Sequence, residues 1–326
     1  MTPALPPTCL DAAAVDALMS RIDTAAALRQ MFGDLADGQA TQPPQSLTLF
    51  PSGAGDFIAY LGVLARERVF GVKLSPYVAA PGGAFVTAWT LLMSMDSGQP
   101  VLLCDAKRLT TERTAGTTAL AVDLLAPDDV AVLCIVGSGP AALAHLRHVK
   151  PLRAWRQIRV FSPHIGHLSP AAAHAFSAAD PRVILETDAA AASAGADVIA
   201  LCTSAAAPVI DPAALSRPAL ITSISTNAPN AHEVPPAALA AMDVYCDFRA
   251  TTPASAGEMR LAARDHGWSP DTLRGDLPGL VRGTAPRPRG DRHTFFRSIG
   301  LGLEDIAIAS ALWRVHADAV SAGGGV

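Results

Sequence analysis

The sequence predicts an α/β protein in which a doubly wound parallel sheet follows a mixed region of strands and helices. Short apolar segments alternate with alanine-rich helical segments over about residues 128–290, which is typical of βαβ units. The run Val130–Val136 is apolar throughout, as in a strand buried on both faces, and leads directly into a glycine-rich turn. The first hundred residues contain successive extended segments without this alternation, so we predict an α+β architecture there.

The composition restricts the classes of protein to which this chain can belong. Its 326 residues suffice for one large or two medium domains, and 50% hydrophobic with 17% charged residues excludes a disordered chain. No apolar run approaches the roughly 20 residues of a membrane-spanning helix, and a net charge of −4 without a basic stripe argues against nucleic acid as a partner. The N-terminus lacks a secretory signal pattern, so we predict a cytoplasmic protein.

The cysteines and histidines do not form a pattern typical of a disulfide framework or a metal site. The five cysteines are scattered without a CxxC pair, and we interpret them as free thiols in a reducing compartment. His145 and His148, like His164 and His167, are spaced as two ligands on a helix, but no nearby cysteine or carboxylate completes a set. The sequence therefore predicts no metal ion.

Periodicity predicts the elements of the first hundred residues in order. Apolar residues at helical spacing predict one helix over Asp11–Phe32. Extended segments follow at Ser46–Phe50, Asp56–Leu64 and Val69–Leu74. The segments Phe85–Met95 and Pro100–Cys104 flank the turn signal Asp96-Ser97-Gly98 and predict a hairpin.

The pattern changes to alternating strands and helices after Lys107. Thr110–Leu125 has helical periodicity, with Pro127 as a stop just beyond it. The predicted strands of the parallel sheet are Val130–Val136, Ile158–Phe161, Val183–Leu185, Val198–Cys202, Leu220–Ile224 and Val244–Asp247. A helix is predicted from the glycine-rich turn to about Val149. The other predicted helices are Ser169–Ala179, Ala189–Ala194, Pro236–Met242 and Gly302–Ala317.

A glycine motif, Gly137-x-Gly139-x-x-Ala142, lies between a predicted buried strand and a predicted helix. The first glycine allows the tight turn, the second lets a pyrophosphate approach the backbone, and the small third residue lets the helix pack on the sheet. The predicted dinucleotide contacts are Gly137, Ser138, Gly139, Pro140 and Ala141. The alternative interpretation is a glycine turn with a purely structural role.

The end of the second strand bears on the choice of cofactor. A ribose-binding acid is expected about 20 residues after the glycines, but the strand ends Phe161-Ser162-Pro163-His164. A carboxylate would repel a 2′-phosphate, whereas Ser162 and His164 are able to hydrogen-bond to one. The sequence therefore favours NADP(H) over NAD(H), the alternative being a loop that contacts neither.

Several motifs taken in order resemble the ornithine cyclodeaminase/μ-crystallin family. The resemblance covers nearly the whole chain, and the order of the motifs makes it specific. The matching segments are Phe70-Gly71-Val72-Lys73, Met95-Asp96-Ser97-Gly98-Gln99-Pro100, Leu109-Thr110, Arg113-Thr114-Ala115, the glycine motif, Ala196-Asp197-Val198 before Thr203, Pro229 with His232-Glu233, Gly257-Glu258, and Ser298-Ile299-Gly300 with Glu304-Asp305.

The resemblance implies a Rossmann domain inserted into a second domain. We expect the dinucleotide-binding domain at residues 127–292, and a substrate-binding and dimerisation domain at residues 1–126 plus 293–326. The family implies a homodimer and hydride transfer between a nicotinamide and an imine next to a carboxylate. Further cofactor contacts implied by the resemblance are Arg113, Thr114, Thr203, Ser204, Asn227, Ser298 and Gly300.

The resemblance also implies a substrate site. Lys73 and Arg113 match the substrate-contacting lysine and arginine of the family, and we expect the proton for reduction to come from Lys73 or from water. Gln45 follows Pro-Pro where members with a full carboxylate anchor have arginine, and Asn227 replaces the aspartate that serves cyclodeaminases as general acid and base. We therefore expect Gln45, Lys73, Arg113 and Asn227 at the substrate, and no cyclodeamination.

Three functions remain open at this point. The first is NAD(P)H-dependent reduction of a small 2-imino acid, such as the cyclic ketimine pyrroline-2-carboxylate or the imine of a keto acid and an amine. The second is a specialised biosynthetic amino-acid dehydrogenase or opine-type enzyme. It is suggested by the changes at Gln45 and Asn227 and by Ala231, which stands where the family usually has a lysine. The third is a non-catalytic, crystallin-like NADP-binding protein.

Overall fold

The computed structural model describes residues 6–225 and 230–323. The chain divides into two compact units, the first comprising Met1–Arg113 with Leu301–Val326 and the second Thr114–Gly300. The second unit is thus inserted in sequence into the first. The sequence predicted boundaries at 126/127 and 292/293. Both boundaries of the structure differ from these. The earlier one lies inside the helix Lys107–Leu125, and the later one follows the strand Thr294–Arg297, which pairs within the sheet of the second unit.

The first unit is built on an eight-stranded sheet. Its elements are β1 (Thr8–Leu10), α1 (Ala12–Met19), α2 (Thr24–Ala36), β2 (Ala40–Thr41), β3 (Ser46–Leu49), β4 (Gly55–Leu64), β5 (Val69–Val78), β6 (Phe85–Val86), β7 (Trp89–Ser94), β8 (Pro100–Asp105), the first residues of α3 (Lys107–Leu125), and α10 (Gly302–Gly323). The strand order is β1-β8-β7-β5-β4-β2, with β3 on β4 and β6 on β5. All pairs are antiparallel except β1 with β8, and the β7–β8 hairpin confirms the sequence prediction.

The single helix predicted over Asp11–Phe32 is wrong, because the segment forms the two helices α1 and α2. Asp11 accepts a hydrogen bond from the Ala14 amide, and Asp23 accepts one from the Ala26 amide. Each aspartate thereby caps the N-terminus of its own helix. The apolar spacing continues across the break, so periodicity alone does not reveal it.

One face of this sheet is covered by α10. A side chain at Gly302 would lie 2.2 Å from the backbone oxygen of Leu61, so the glycine permits the start of α10 to lie against β4. The Leu303 side chain lies over Gly62 of β4, and the Ile306 side chain lies over Gly71 of β5. Small residues on the sheet therefore bring the first turns of α10 close to two central strands.

The second unit contains an eight-stranded, entirely parallel sheet. Its elements are β9 (Val132–Val136), α4 (Pro140–Val149), β10 (Gln157–Phe161), α5 (Pro170–Ala179), β11 (Val183–Glu186), α6 (Ala189–Ser193), β12 (Val198–Leu201), β13 (Leu220–Ser223), β14 (Asp243–Cys246), α7 (Thr252–Ser255), α8 (Gly257–Asp265), β15 (Gly275–Asp276), α9 (Leu277–Arg282) and β16 (Thr294–Arg297). The order β11-β10-β9-β12-β13-β16-β14-β15 is that of a doubly wound sheet, which confirms the predicted fold class.

Two further helix predictions need correction. The segment predicted as a helix over Pro236–Met242 is a 3₁₀-helix at Pro236–Ala241. The helix predicted from Thr110 begins earlier, at Lys107. Among the described residues, none of the helices has the length and apolar character needed to cross a membrane.

Candidate functional site

A cavity of about 760 Å³ lies at the carboxyl ends of the strands in the second unit. The sheet order reverses between β9 and β12, and the carboxyl ends of strands at such a switch point form the usual ligand crevice of this architecture. The cavity is lined by nine residues that the sequence predicts as cofactor contacts: Gly137, Ser138, Gly139, Pro140, Ala141, Ser162, His164, Thr203 and Ser204. The structure therefore brings together residues from three separate strand ends.

The glycine loop after β9 leaves space for an anionic group. Gly137 has a φ of 134°, and a side chain there would lie 2.6 Å from the Cys202 carbonyl oxygen. At Gly139, by contrast, a side chain would meet nothing within 4 Å. Gly139 is also the N-cap of α4 and has no side-chain capping bond, so amide groups of the first turn face open space. These features fit the pyrophosphate of a dinucleotide.

The first turn of α4 is braced from within the second unit. The ring of His145 bonds through Nδ1 with the Ala141 carbonyl at 2.7 Å and through Nε2 with the Thr118 hydroxyl at 3.0 Å. Burial lowers the pKa of His145 to about 4, so the ring is neutral at physiological pH. His145 thus links α3 to the turn that carries the glycine motif, a structural role that its spacing to His148 did not suggest.

The loop after β10 lines the same cavity and carries no carboxylate between Ser162 and His164. Ser162 is buried, and its hydroxyl oxygen accepts a hydrogen bond from the His164 amide at 3.3 Å. The His164 side chain is exposed. The Ser162 hydroxyl and the His164 imidazole are thus available on this part of the cavity wall to hydrogen-bond to a ligand.

Glu233 connects the loops that follow β12 and β13. Its Oε1 accepts hydrogen bonds from the amide and the hydroxyl of Thr203, at 2.9 and 2.6 Å. Its Oε2 accepts from the Ser223 hydroxyl at 2.7 Å and the Ser225 amide at 2.9 Å. The carboxylate is fully buried. The sequence motif contained Glu233, but only the fold reveals that one carboxylate joins two strand ends.

A second group of chemically active side chains lies in the first unit, around Lys73 on β5. The Lys73 side chain is 1% exposed, and its ammonium group forms an ion pair with Asp305 Oδ2 at 2.8 Å. It also lies 3.4 Å from the Thr110 hydroxyl and 4.1 Å from the centre of the Tyr60 ring. Burial lowers the pKa of Lys73 to about 8, although the Asp305 charge opposes this shift. Lys73 can therefore exchange a proton near neutral pH.

Arg113 is buried in the same group. Its Nε donates to Asp305 Oδ1 and its Nη1 donates to Glu304 Oε2, each at 3.0 Å. Asp305 thus bridges Lys73 and Arg113. Because α3 begins at Lys107, Arg113 and Thr114 lie in its second turn. We call Lys73, Arg113, Glu304 and Asp305 the charged cluster.

A row of buried side chains crosses four strands beside the charged cluster. Lys73 is paired in register with Tyr60 on β4 and Thr90 on β7, and Thr90 is paired with Cys104 on β8. Directly paired residues point to the same face of a sheet. The Thr90 hydroxyl is fully buried, and within the described part of the chain no group hydrogen-bonds to it.

The remaining predicted site residues lie elsewhere or outside the described residues. Gln45 is half-buried between β2 and β3, while its neighbour Gln42 accepts a hydrogen bond from the Leu303 amide at 2.9 Å. Ser298 and Gly300 both donate to the buried Asp247 carboxylate, at 3.0 and 3.2 Å, and do not line the cavity. Asn227 falls in the segment 226–229, outside the described residues.

Comparison with known proteins identifies close relatives. A sequence profile of the ornithine cyclodeaminase/mu-crystallin family matches residues 7–322. The NAD(P)H-dependent anabolic L-arginine dehydrogenase DauB of Pseudomonas aeruginosa is 59% identical over 310 residues, which cover 95% of this chain and 98% of that protein. A probable ornithine cyclodeaminase from Bordetella pertussis is 26% identical, with a TM-score of 0.86 over 96% of this chain and 98% of that one. The iminosuccinate reductase of Paracoccus denitrificans, solved with NAD+, shares the fold at 22% identity, with a TM-score of 0.86 over 96% and 97% of the two chains.

Proposed function

The chain belongs to the ornithine cyclodeaminase/mu-crystallin family, and from this premise we propose that it reduces the 2-imino acid of arginine to L-arginine with NADPH. It is an NAD(P)H-dependent oxidoreductase of small 2-imino acids. The observation that carries the proposal is the single cavity that unites the glycine loop with the ends of β10 and β12. The choice of arginine is supported by the 59% identity to the L-arginine dehydrogenase over 95% of this chain.

The dinucleotide would be held by the second unit, and when bound it supplies the hydride. The Gly137–Ala141 loop offers backbone amides to the pyrophosphate, and Ser162 and His164 offer hydrogen bonds to the ribose. Thr203 and Ser204 line the part of the wall that follows β12. We favour NADPH over NADH because the end of β10 presents no carboxylate that would repel a 2′-phosphate.

The substrate chemistry is assigned to the charged cluster. Ammonium and the 2-oxo acid condense to a 2-iminium acid with release of water; the iminium carbon then accepts the hydride, and the resulting amine takes up a proton. Lys73, with a pKa of about 8, is our candidate for the donor of that proton. The substrate carboxylate would bring a negative charge to a cluster of two cations and two carboxylates, and this charge favours the protonated form of Lys73.

The proposal excludes cyclodeamination for a chemical reason. That reaction requires a group that takes and returns a proton, and the amide of Asn227 does not serve as a general acid or base. Reduction of an imine that is already formed needs one hydride and one proton. Both requirements are met without a carboxylate at position 227.

The test is a comparison of substrates with the purified protein. NADPH oxidation is followed with ammonium and the 2-oxo acid of arginine, then with uncharged 2-oxo acids and with pyrroline-2-carboxylate. We expect the highest kcat/KM with the 2-oxo acid of arginine, and formation of NADPH from NADP+ when L-arginine is supplied. A preference for the cyclic ketimine, or no turnover of any compound by protein that binds NADPH, would overturn the proposal.

We further propose that the enzyme is a homodimer formed through the first unit. The sheet face opposite α10 exposes a group of large apolar side chains, each more than a third exposed: Leu61, Phe70, Leu74, Trp89 and Leu103. Leu74 and Trp89 are direct cross-strand neighbours, so the apolar surface is continuous between β5 and β7. An apolar face of this kind is typical of a permanent protein interface.

The dimer is tested by sedimentation of the Leu74→Glu variant. A charge in an apolar interface is expected to yield monomers. Ile184→Glu is the matched control, because Ile184 is an exposed apolar residue at 46% in the second unit. The dimer proposal fails if the native protein sediments as a monomer, or if Leu74→Glu remains dimeric.

A further inference from the structure

We infer that Glu233 is a positioning residue whose buried negative charge favours the oxidised over the reduced dinucleotide. The inference rests on the proposed function only in that the cavity of the second unit holds NADP(H). Glu233 does not line that cavity and acts on it through Thr203.

The hydrogen bonds of Glu233 indicate an ionised carboxylate. Each of its oxygens accepts a hydrogen bond from a backbone amide, that of Thr203 at Oε1 and that of Ser225 at Oε2. Each oxygen also accepts a hydrogen bond from a hydroxyl, that of Thr203 at Oε1 and that of Ser223 at Oε2. Four donors directed at two oxygens satisfy a carboxylate, and the group is fully buried. These partners are all uncharged, so they stabilise the negative charge without neutralising it.

Glu233 lies beside the part of the cavity that would hold one half of the cofactor. In a doubly wound sheet the two halves of a dinucleotide lie on opposite sides of the switch point. Ser162 and His164 after β10 belong to the ribose side of the cavity, so Thr203 and Ser204 after β12 belong to the other half. Glu233 holds Thr203 through two hydrogen bonds and is therefore one residue removed from that wall.

The two redox states of the cofactor differ in charge at the nicotinamide. The oxidised ring is a cation and the reduced ring is neutral, so a nearby buried carboxylate attracts the first and leaves the second unaffected. With the cofactor bound, the charge of Glu233 would likewise act where positive charge develops in the transition state of reduction. Glu233 would then favour transfer from NADPH to the imine.

The experiment is calorimetric titration of NADP+ and NADPH into the wild-type protein and the Glu233→Gln variant without substrate. The substitution keeps size and shape but removes the charge. We expect the Kd of NADP+ to rise about tenfold more than the Kd of NADPH. An equal rise for both, or no change, would overturn the inference. Failure of the wild-type protein to bind either dinucleotide would overturn the proposed function instead.

The matched control is Asp247→Asn. Asp247 is also a fully buried carboxylate in the second unit with amide and hydroxyl donors, but the residues that it holds, Ser298, Ile299 and Gly300, do not line the cavity. We expect this variant to leave the ratio of the two Kd values unchanged. An equal change of that ratio in both variants would contradict a specific role of Glu233.

Two additional variants separate charge from structure. Glu233→Asp keeps the charge, so it should weaken the binding of both dinucleotides and preserve their ratio. If Glu233→Gln does not fold, His232→Arg serves in its place, because it adds a cation at the adjacent half-buried position. We expect His232→Arg to shift the ratio in the direction of Glu233→Gln by about threefold, and an unchanged ratio would refute the inference.

Discussion

The cavity of the second unit and the charged cluster of the first unit are assembled in different ways. The cavity wall comes from residues that directly follow strands, and its central part is a backbone loop of five consecutive residues, Gly137–Ala141. The charged cluster joins side chains from β5, α3 and α10, and Arg113 and Asp305 are 192 positions apart in sequence. The first type of site depends on local backbone geometry and the second on long-range packing. Mutations should therefore separate cofactor binding from proton transfer.

The largest expected effect is in the charged cluster. Lys73→Met removes the proposed proton donor and should lower kcat for reduction about 10³-fold while leaving the Kd of NADPH unchanged. Lys107→Met, at the exposed first residue of α3, is the control and should keep full activity. Substantial activity in Lys73→Met would remove Lys73 from the mechanism, and lost NADPH binding would mean that the two functions are not separable.

The complementary substitution is in the glycine loop. Gly139→Asp fits into open space but places a negative charge where the pyrophosphate is expected, so the Kd of NADPH should rise about 100-fold with little change in Tm. Gly82→Asp adds the same charge in a loop of the first unit, again where nothing lies within 4 Å, and should have no effect. Calorimetric titration and thermal unfolding measure both quantities. Undiminished NADPH binding in Gly139→Asp would exclude the glycine loop as the phosphate site.

A smaller change should alter cofactor preference alone. Ser162→Asp places a carboxylate at the end of β10 and should raise the KM of NADPH about tenfold while leaving that of NADH nearly unchanged. Ser169→Asp, which keeps a capping side chain at the start of α5, is the control. If both cofactors weaken equally in Ser162→Asp, the loop after β10 does not select the 2′-phosphate.

The smallest effect is a change in pH dependence. If protonated Lys73 donates the proton, as we propose, the rate should fall as the pH rises through about 8 in the native protein. The Asp305 carboxylate raises the pKa of Lys73, so Asp305→Asn should move this fall to lower pH, by about one unit. The control is Asp34→Asn, which breaks the ion pair between the buried Asp34 carboxylate and Arg66 in the first unit. It should leave the pH dependence of the rate unchanged. An unmoved profile in Asp305→Asn would argue against Lys73 as the titrating group.

The same contrast explains how far the sequence predicts the molecule. The glycine loop and the strand ends are encoded by short segments with their own steric requirements, so the parallel sheet and the residues around its cavity follow from local pattern. Helix ends set by a single capping side chain, such as Asp23, are lost within a continuous apolar periodicity. The parallel pairing of β1 with β8 joins segments about ninety positions apart, and no local signal announces it.

The charged cluster shows the limit most clearly. Lys73, Arg113 and the pair Glu304-Asp305 all occur in sequence motifs. That the two carboxylates pair with the two cations becomes visible only when α10 packs on the sheet. Glu233 is a similar case, because its four donors come from two separate strand ends. A sequence motif identifies a residue type, whereas the role of a buried charge depends on neighbours that only the fold supplies.

The central claim is tested most directly by following the transferred atom. The protein is incubated with NADPH deuterated at the transferable position, ammonium and the 2-oxo acid of arginine, and the product is analysed by mass spectrometry and NMR. We predict L-arginine with one deuterium at Cα and one equivalent of NADP+ for each molecule formed. Arginine without deuterium at Cα, or no consumption of the cofactor by protein that binds it, would contradict the account.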